Sequence, residues 1–322
     1  MIETYKLLIE SEIRKQKFGQ QPKSLYEPLR YIMGLGGKRL RPMLTLLSYS
    51  LYKDDVKRVV PYATAVETFH NFTLLHDDIM DNAPLRRGNP TVHEKWNINT
   101  AILSGDVMQV KVYDLFLNLK GTMLSDVLVE FNKCATEVCE GQQWDMEFES
   151  KEKVTESQYI NMIRQKTAVL IGFSLELGAI LAGASVADRQ ALYQFGVNIG
   201  IGFQLKDDLL DVYGDQKKFG KQVGGDIISN KKTFLLIKAL EMAKGKGKTD
   251  LTKWLKARKF DKRKKVKAVT AIFNQLSIEK VATNKVNNYF KKGLTSLDQL
   301  NVAARQQAEL KNFVLNLMER TS

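Results

Sequence analysis

Proline is confined to the first 90 residues of this 322-residue chain, and residues 91–322 contain none. Because proline lacks a backbone N–H and disrupts a helix interior, so long a proline-free run permits long helices. Apolar residues recur at spacings of three and four, as in Leu40, Leu44, Leu47 and Leu51. This is the period of a helix that buries one face. With no convincing period-two strand pattern, the sequence predicts an all-α fold, a single bundle of ten or more helices over residues 1–322.

Composition is that of a globular protein. The apolar fraction is 44%, and no run approaches the roughly eighteen uninterrupted apolar residues of a membrane span. The N-terminal segment MIETYKLLIESEIRKQ is charged and amphipathic, and it lacks the apolar stretch and cleavage site of a signal peptide. We therefore expect a cytoplasmic protein.

Positive charge is concentrated in one segment, residues 244–267. The chain has a net charge of +13, and this segment holds twelve Lys or Arg against two Asp, which is +10 of that total. The rest of the chain is nearly balanced, so we expect no nucleic-acid partner. A solvated helix face and a weak contact with an anionic membrane surface both remain open for this segment.

One aspartate spacing occurs twice, in LLHDDIMD and in FQLKDDLLD. Each set occupies positions i, i+1 and i+4 of a helical pattern, which puts two carboxylates on one face about 5–6 Å apart at Cβ. Crowded carboxylates resist ionisation unless a cation lies among them, and Mg²⁺ prefers a few carboxylates together with a phosphate. A solvated face would not need the surrounding apolar residues. The pattern predicts Mg²⁺ ligands at Asp77, Asp78, Asp81, Asp207, Asp208 and Asp211.

Basic residues accompany these aspartates in four short motifs. The motifs are GGKRLRP at 36–42, LRRG at 85–88, KT at 166–167 and FGKQVGGDIISNKKT at 219–233. Lys and Arg bind phosphate oxygens directly, and Arg does so bidentately. Together with the carboxylates they predict a site for two polyanions, one held through metal and the other held directly.

The motifs, in this order, resemble those of the trans-isoprenyl diphosphate synthases, also called polyprenyl synthetases, and they span residues 36–233. The resemblance implies an all-α fold around a deep central cavity, usually in a homodimer. It also implies a Mg²⁺-dependent head-to-tail condensation of isopentenyl diphosphate with an allylic diphosphate.

The resemblance assigns a role to each matching residue. The six aspartates would hold about three Mg²⁺ ions that grip the allylic diphosphate. That same diphosphate would be contacted by Arg86, Lys166, Lys221 and Lys231. The diphosphate of isopentenyl diphosphate would be held by Lys38, Arg41, His70 and Arg87. The residues near the reacting carbons, which with Lys166 stabilise the allylic cation, would be Thr167 and Gln204.

Product length is predicted from the residues that precede Asp77. Side chains one or two helical turns earlier, at 5.4 Å per turn, can act as a floor beneath the growing prenyl chain. Phe72 lies five residues and Thr73 four residues before Asp77. In the family, one aromatic with a small residue beside it resembles the geranylgeranyl (C20) pattern. We expect a C20 product, with farnesyl (C15) as the alternative and ordinary core packing as the competing interpretation of Phe72.

Two other functions compete with this one. A terpene cyclase also ionises an allylic diphosphate at a DDxxD motif, but it usually has one such cluster and needs no second diphosphate pocket. A non-catalytic synthase partner tends to lose aspartates from one cluster, and this chain keeps all six. Condensation by the purified chain alone would separate these classes.

Overall fold

The computed structural model of the chain describes residues 1–214 and 224–319, and helices form nearly all of its regular structure. This confirms the prediction of an all-α fold. The helices of the N-terminal part are α1 (Ile2–Lys15), α2 (Lys23–Gly34), α3 (Leu40–Tyr49), α4 (Val60–Met80), α5 (Val92–Lys95), α6 (Ile98–Phe116) and α7 (Thr122–Ser150).

The C-terminal part is helical as well. Its helices are α8 (Glu156–Ile163), α9 (Val169–Ala182), α10 (Val186–Tyr213), α11 (Gly225–Ser229), α12 (Phe234–Met242), α13 (Gly245–Lys256), α14 (Lys262–Gln275), α15 (Ile278–Leu297) and α16 (Ala304–Glu319). A 3₁₀ turn (Val56–Val59) precedes α4, and a π-helical segment (Arg164–Ala168) joins α8 to α9.

Within the described residues, the strands are a two-residue antiparallel pair, β1 (Leu85–Arg86) and β2 (Asn89–Pro90). Period-two alternation needs at least four residues to be visible in a sequence, so this short hairpin could not be predicted from it. The hairpin follows α4 directly and carries the two arginines of LRRG.

Helix starts agree with local sequence signals. Asn97 accepts a bond from the backbone N–H of Thr100 at 2.8 Å and caps α6. Thr155 and Gln158 form a reciprocal capping box at the start of α8. Such side chains satisfy backbone donors that have no partner inside the helix.

The chain divides into two compact units. The first contains residues 1–133, 173–193 and 301–310, and the second contains residues 134–172, 194–300 and 311–322. The prediction that residues 1–322 form a single domain stays a prediction.

Phe131 is at the centre of an aromatic cluster in the first unit. Its ring lies 5.1 Å from Phe69, 5.4 Å from Phe116 and 5.8 Å from Phe173 between centroids. These edge-on and tilted contacts are favourable for aromatic rings. Because Phe69 belongs to α4, the cluster fixes the helix that carries the first aspartate set.

Small residues allow close helix packing in the second unit. A Cβ on Gly200 of α10 would lie 2.7 Å from Ala168, and one on Gly141 of α7 would lie 2.2 Å from the backbone N of Lys166. Neither distance is sterically possible, so glycine at these positions brings α7 and α10 against the π-helical segment.

One segment, Glu156–Ala182, is long and apolar enough to cross a membrane by length and composition. However, 89% of its most apolar window is buried inside the protein, as in a core helix of a globular fold.

Candidate active site

Asp77, Asp78 and Asp81, the first aspartate cluster, lie at the C-terminal end of α4. Asp81 is the residue at which the helix ends, and its N–H still bonds to the carbonyl of Asp77 at 2.8 Å. The helix dipole is negative at this end and therefore favours cations rather than carboxylates. Three aspartates here require positive compensation, which fits a cation site.

Part of that compensation comes from Arg86 on the β-hairpin. Its guanidinium donates from Nε to Oδ2 of Asp78 at 2.8 Å and from Nη2 to Oδ1 at 2.7 Å. Asp78 is only 2% exposed. Bidentate contact of a guanidinium with a carboxylate is a strong, charge-assisted interaction, so Asp78 already has a cationic partner supplied by the protein.

Arg87 turns toward residues 36–42, the loop before α3 together with the first residues of that helix, which we call the basic loop. Its Nη1 donates to the carbonyl oxygen of Gly36. A Cβ on Gly37 would lie 3.0 Å from the guanidinium, and the φ of Gly37 is +143°. Both the backbone conformation and the close approach of Arg87 therefore require glycine here.

His70 contacts the same loop from α4. Arg41 Nη1 lies 3.0 Å from His70 Nε2, and because arginine can only donate, Nε2 must accept and the proton of the neutral ring is on Nδ1. Burial lowers the pKa of His70 well below its ordinary value, and the charges of Arg41 and Arg87 lower it further. The ring is neutral at physiological pH.

The two other basic residues of the basic loop, Lys38 and Arg39, differ in their exposure to solvent. Lys38 is exposed, whereas Arg39 is 2% exposed and lies in the core of the first unit. The first unit thus contains eight predicted diphosphate or metal residues together with one buried arginine that the motif did not distinguish from its neighbours.

Asp207, Asp208 and Asp211, the second aspartate cluster, occupy the C-terminal end of α10, where the helix dipole is again unfavourable for carboxylates. Asp207 is exposed and Asp208 is buried. Asp211 Oδ2 accepts a bond from the backbone N–H of Asp226 at 3.0 Å. This ties the end of α10 to the start of α11.

The side chains that donate hydrogen bonds to Asp208 are uncharged, although the charges of Asp226 and Lys231 also act on it. Tyr159 Oη donates to its Oδ2, and Gln204 Nε2 donates to its Oδ1 at 3.3 Å. Thr167 Oγ1 in turn donates to Gln204 Oε1 at 3.3 Å. The structure thus joins the predicted residues Thr167 and Gln204 to the second cluster. Burial raises the pKa of Asp208 to about 7, although the bond from Tyr159 lowers it.

The π-helical segment presents Lys166 and Thr167. Wide π turns are rare and occur frequently at functional sites. Lys166 Nζ donates to Asp145 Oδ2 at 2.6 Å, and Lys231 Nζ lies 3.8 Å from the same oxygen. Burial raises the pKa of Asp145, but Lys231 and Lys166 outweigh it and bring the pKa below the ordinary value. Asp145 therefore gathers two predicted phosphate ligands around one carboxylate.

Asp145 and Tyr159 are residues that the sequence analysis missed. Each is a single residue in an otherwise ordinary helical stretch, QQWDMEF and SQYINM. Their importance depends on contacts across helices, which no spacing rule shows. Lys221, a predicted ligand of the allylic diphosphate, lies outside the described residues.

Phe72 and Thr73, the predicted floor, lie on α4 in the first unit. The ring of Phe72 lies 5.6 Å from Phe69 and 4.8 Å from His76 between centroids. It is half-buried. Thr73 Oγ1 donates to the carbonyl of His70 at 2.8 Å. Phe72 thus packs against Phe69 of the core and is itself only half-buried.

Among residues 1–214 and 224–319, no group of three or more His, Cys, Asp and Glu side chains is arranged as a metal site. The aspartates of each cluster nonetheless fit Mg²⁺, because they offer oxygen donors only and lie where helix ends favour cations. Mg²⁺ usually keeps several waters and completes its shell with substrate phosphate, so a closed protein cage is not required.

Comparisons with known proteins agree on one family. The polyprenyl synthetase family model matches residues 22–273. A short chain isoprenyl diphosphate synthase of Methanocaldococcus jannaschii is 46% identical over 67% of this chain and 66% of that protein. A geranylgeranyl diphosphate synthase of Sulfolobus acidocaldarius is 37% identical over 88% of this chain and 86% of that protein. A crystal structure of a geranylgeranyl pyrophosphate synthase superposes with a TM-score of 0.95 at 41% identity, covering 100% of this chain and 99% of that one.

Proposed function

We propose that this chain, which belongs to the polyprenyl synthetase family, makes a C20 all-trans prenyl diphosphate. It is a prenyltransferase that elongates an allylic diphosphate by head-to-tail condensation with isopentenyl diphosphate. The observation that carries the proposal is the pair of aspartate clusters, each at a helix end where the dipole favours cations, with basic side chains in contact or nearby.

Mg²⁺ is the metal that we propose for both clusters, with about three ions per active site. When bound, it neutralises the leaving diphosphate of the allylic substrate. Asp77, Asp78 and Asp81 would hold it in the first unit, and Asp207, Asp208 and Asp211 would hold it in the second.

The basic side chains do the remaining work on the two diphosphates. Lys38, Arg41 and Arg87 carry positive charge for isopentenyl diphosphate, and neutral His70 offers its Nδ1–H as a further donor. Lys166 and Lys231, gathered by Asp145, serve the allylic diphosphate together with Arg86 and Lys221. Preorganised donors of this kind stabilise the charge that develops as the C1–O bond breaks.

Carbon chemistry follows from that bond cleavage. The alkene of isopentenyl diphosphate attacks C1 of the allylic cation, and a proton then leaves C2 of the adduct to the released diphosphate. The hydroxyl of Thr167 and the amide of Gln204 place partial negative oxygens near the reacting carbons, where they stabilise positive charge. Arg and Lys side chains elsewhere keep the diphosphates bound while the cation exists.

Dependence on isopentenyl diphosphate is the test that separates this function from cyclisation. Purified protein is incubated with Mg²⁺ and the C15 allylic diphosphate, with and without isopentenyl diphosphate. We expect product only when both substrates are present. A cyclase would consume the allylic substrate alone, and a non-catalytic partner would consume neither mixture.

Phe72 is proposed as the chain-length determinant. Its ring packs against Phe69 and the residue is only half-buried, as expected for a floor. We expect Phe72→Ala to shift the product from C20 to C25 or longer, measured by mass spectrometry of the dephosphorylated products. Phe116→Leu, a change in the buried aromatic cluster, is the control for general loosening of the core. An unchanged product spectrum in Phe72→Ala would show that Phe72 only packs the core.

A homodimer is the proposed assembly. Leu103 and Val110 of α6 and Leu117, the residue at which that helix ends, recur at spacings of seven, and each is more than half exposed. An apolar stripe of this kind is more typical of an interface than of a monomer surface. We expect twice the chain mass by light scattering and a shift toward monomer in Val110→Glu. Val186→Glu, which changes an equally exposed valine away from the stripe, should leave the mass unchanged.

The basic segment is proposed to contact anionic membranes weakly. Eleven of its twelve Lys and Arg are exposed, whereas Lys265 is buried and bonds to Asn230 Oδ1 at 2.6 Å. Within the described parts of the chain, none of the eleven forms an ion pair. We expect binding to anionic vesicles that disappears at high salt and in a variant with Lys246, Lys253 and Lys256 changed to Gln.

A further inference from the structure

Arg39 is the basic residue of the basic loop to which the proposed function gives no role. It is buried, and its φ of +47° lies in the left-handed region. That conformation is unfavourable for a residue with a Cβ. Helix α3 begins at the next residue, so the strain falls at the junction between loop and helix.

The guanidinium of Arg39 is bonded in three directions. Nε donates to Glu10 Oε1 of α1, Nη1 to Glu67 Oε1 of α4, and Nη2 to the carbonyl of Met33 at the end of α2, each at 2.8 Å. Glu67 is itself buried and also accepts from Asn71 Nδ2 at 3.2 Å. Because Arg39 is only 2% exposed and three of its N–H groups bond to oxygens of the protein, it does not reach a substrate.

Arg39 and Glu67 form the inner of two parallel contacts between the basic loop and α4. The outer contact joins Arg41 to His70, two residues further along the loop and three further along the helix. Residues three apart on a helix share a face, so fixing Arg39 against Glu67 also fixes where Arg41 meets His70. Lys38 precedes Arg39 directly, and its backbone position is set by the same anchor.

We infer that Arg39 is a positioning residue for the isopentenyl diphosphate site, acting through Glu67 and Glu10 to hold Lys38, Arg41 and His70 in one arrangement. The inference rests on the proposed function for the identity of the anion. It adds that α1 takes part in this site through Glu10, although no residue of α1 belongs to the motifs.

Arg39→Lys is the test, because lysine keeps the charge but cannot bond in three fixed directions. Isopentenyl diphosphate binding is measured by calorimetry without allylic substrate, and KM for both substrates is measured in turnover. We expect Kd and KM for isopentenyl diphosphate to rise at least about tenfold, the equivalent of one charge-assisted hydrogen bond. KM for the allylic substrate and kcat should change less than about threefold on the same scale.

Two further variants keep the test decisive. Arg189→Lys alters an arginine that is paired with Asp126 and has no role in the proposed site, and it should leave isopentenyl diphosphate binding unchanged. Glu10→Gln changes only the half-buried partner, so it should fold even if Arg39→Lys does not, and should raise the same KM about threefold.

The outcomes distinguish the inference from the proposed function. A folded Arg39→Lys protein with unchanged isopentenyl diphosphate affinity would overturn the positioning role, as would equal rises in both KM values, which indicate general damage. Wild-type protein that binds isopentenyl diphosphate but does not condense it would contradict the proposed function and still report on Arg39. Wild-type protein that does not bind it would overturn both.

Discussion

The two aspartate clusters share their spacing and their place at a helix end, but they have different neighbours. Asp78 receives two bonds from the cationic guanidinium of Arg86. Asp208, which is also buried, receives bonds from the neutral groups of Tyr159 and Gln204. Burial consequently raises the pKa of Asp208 to about 7.

This difference shows that a repeated motif need not give two equivalent sites. In the first cluster a protein cation already compensates the buried carboxylate. In the second cluster the donors in contact with Asp208 carry no charge, so a metal ion would compete with a proton for that carboxylate. The second cluster should therefore be the more sensitive to pH and to loss of metal.

Asp208→Asn should have the largest effect on activity. The amide keeps the shape but removes the negative charge that holds metal, so we expect kcat to fall on the order of a thousandfold. The measurement is steady-state condensation at saturating Mg²⁺. Asp298→Asn, at an exposed aspartate that ends α15, is the matched control and should retain activity. A loss smaller than about tenfold in Asp208→Asn would remove the second cluster from the mechanism.

Arg86→Gln should have the next largest effect, and the effect should be on the free energy of unfolding. It leaves Asp78 buried without its cation, which destabilises the folded state by about 3 kcal/mol. Urea unfolding without metal measures this loss. Mg²⁺ with inorganic diphosphate should restore more stability to the variant than to wild type, because it replaces the missing charge.

The control for that change is Arg58→Gln, which breaks the exposed pair with Asp55. Exposed pairs contribute about 1 kcal/mol or less. If Arg86→Gln were as stable as Arg58→Gln, the claim that Asp78 depends on a protein cation would be wrong.

Tyr159→Phe should change the pH profile rather than abolish activity. The hydroxyl stabilises ionised Asp208, so its loss raises the pKa of Asp208 further. Activity that needs this carboxylate ionised is lost as the pH falls through its pKa, so the acidic limb of kcat/KM should move to higher pH. A hydrogen bond to a charged group contributes about 1.5–3 kcal/mol, which predicts a shift of about one to two pH units. An unmoved limb would assign that limb to another group.

The sequence predicted most residues of the second cluster but not the raised pKa of Asp208. Asp208, Gln204 and Thr167 were predicted, and the structure joins them by hydrogen bonds. Tyr159 was not predicted, because it comes from α8 and meets Asp208 only after folding. Spacing along one helix identifies residues on a shared face, whereas the pKa of a carboxylate depends on neighbours from every element around it.

The same limit applies in the first unit. The motif GGKRLRP predicted that Lys38 and Arg41 bind a diphosphate. Its glycines are needed because their φ angles are positive and because Arg87 lies close to Gly37. Nothing in the sequence of the motif distinguishes Arg39, which is buried and bonded to Glu67, from the basic residues that predict diphosphate binding. The helical fold was predictable because proline content and apolar period are properties of single segments.

Glu176→Gln should have the smallest effect on activity, namely none. Glu176 is buried in the first unit outside both clusters, and burial raises its pKa to about 7, as for Asp208. It therefore serves as a matched carboxylate with no proposed metal role. Unfolded Glu ionises near its ordinary pKa of 4.5, so Glu176 should by itself account for a loss of about 3 kcal/mol of stability as the pH rises from 4.5 through 7.

Urea unfolding at pH 5 and pH 8 measures the loss of stability, which should be about 3 kcal/mol smaller in Glu176→Gln than in wild type. Glu94→Gln, at an exposed glutamate, should behave as wild type. A reduced kcat in Glu176→Gln would mean that neutralising a buried carboxylate lowers activity even where no metal is proposed. The loss of activity in Asp208→Asn could then not be assigned to metal binding.

Product length from three starters tests the central claim most directly. Purified protein is incubated with Mg²⁺, isopentenyl diphosphate and, separately, the C5, C10 and C15 allylic diphosphates, and the products are identified by mass spectrometry. The account predicts that all three starters converge on C20. Convergence on C15 or C25 would keep the chemistry and contradict the role given to Phe72. No condensation in a folded protein would contradict the proposed function itself.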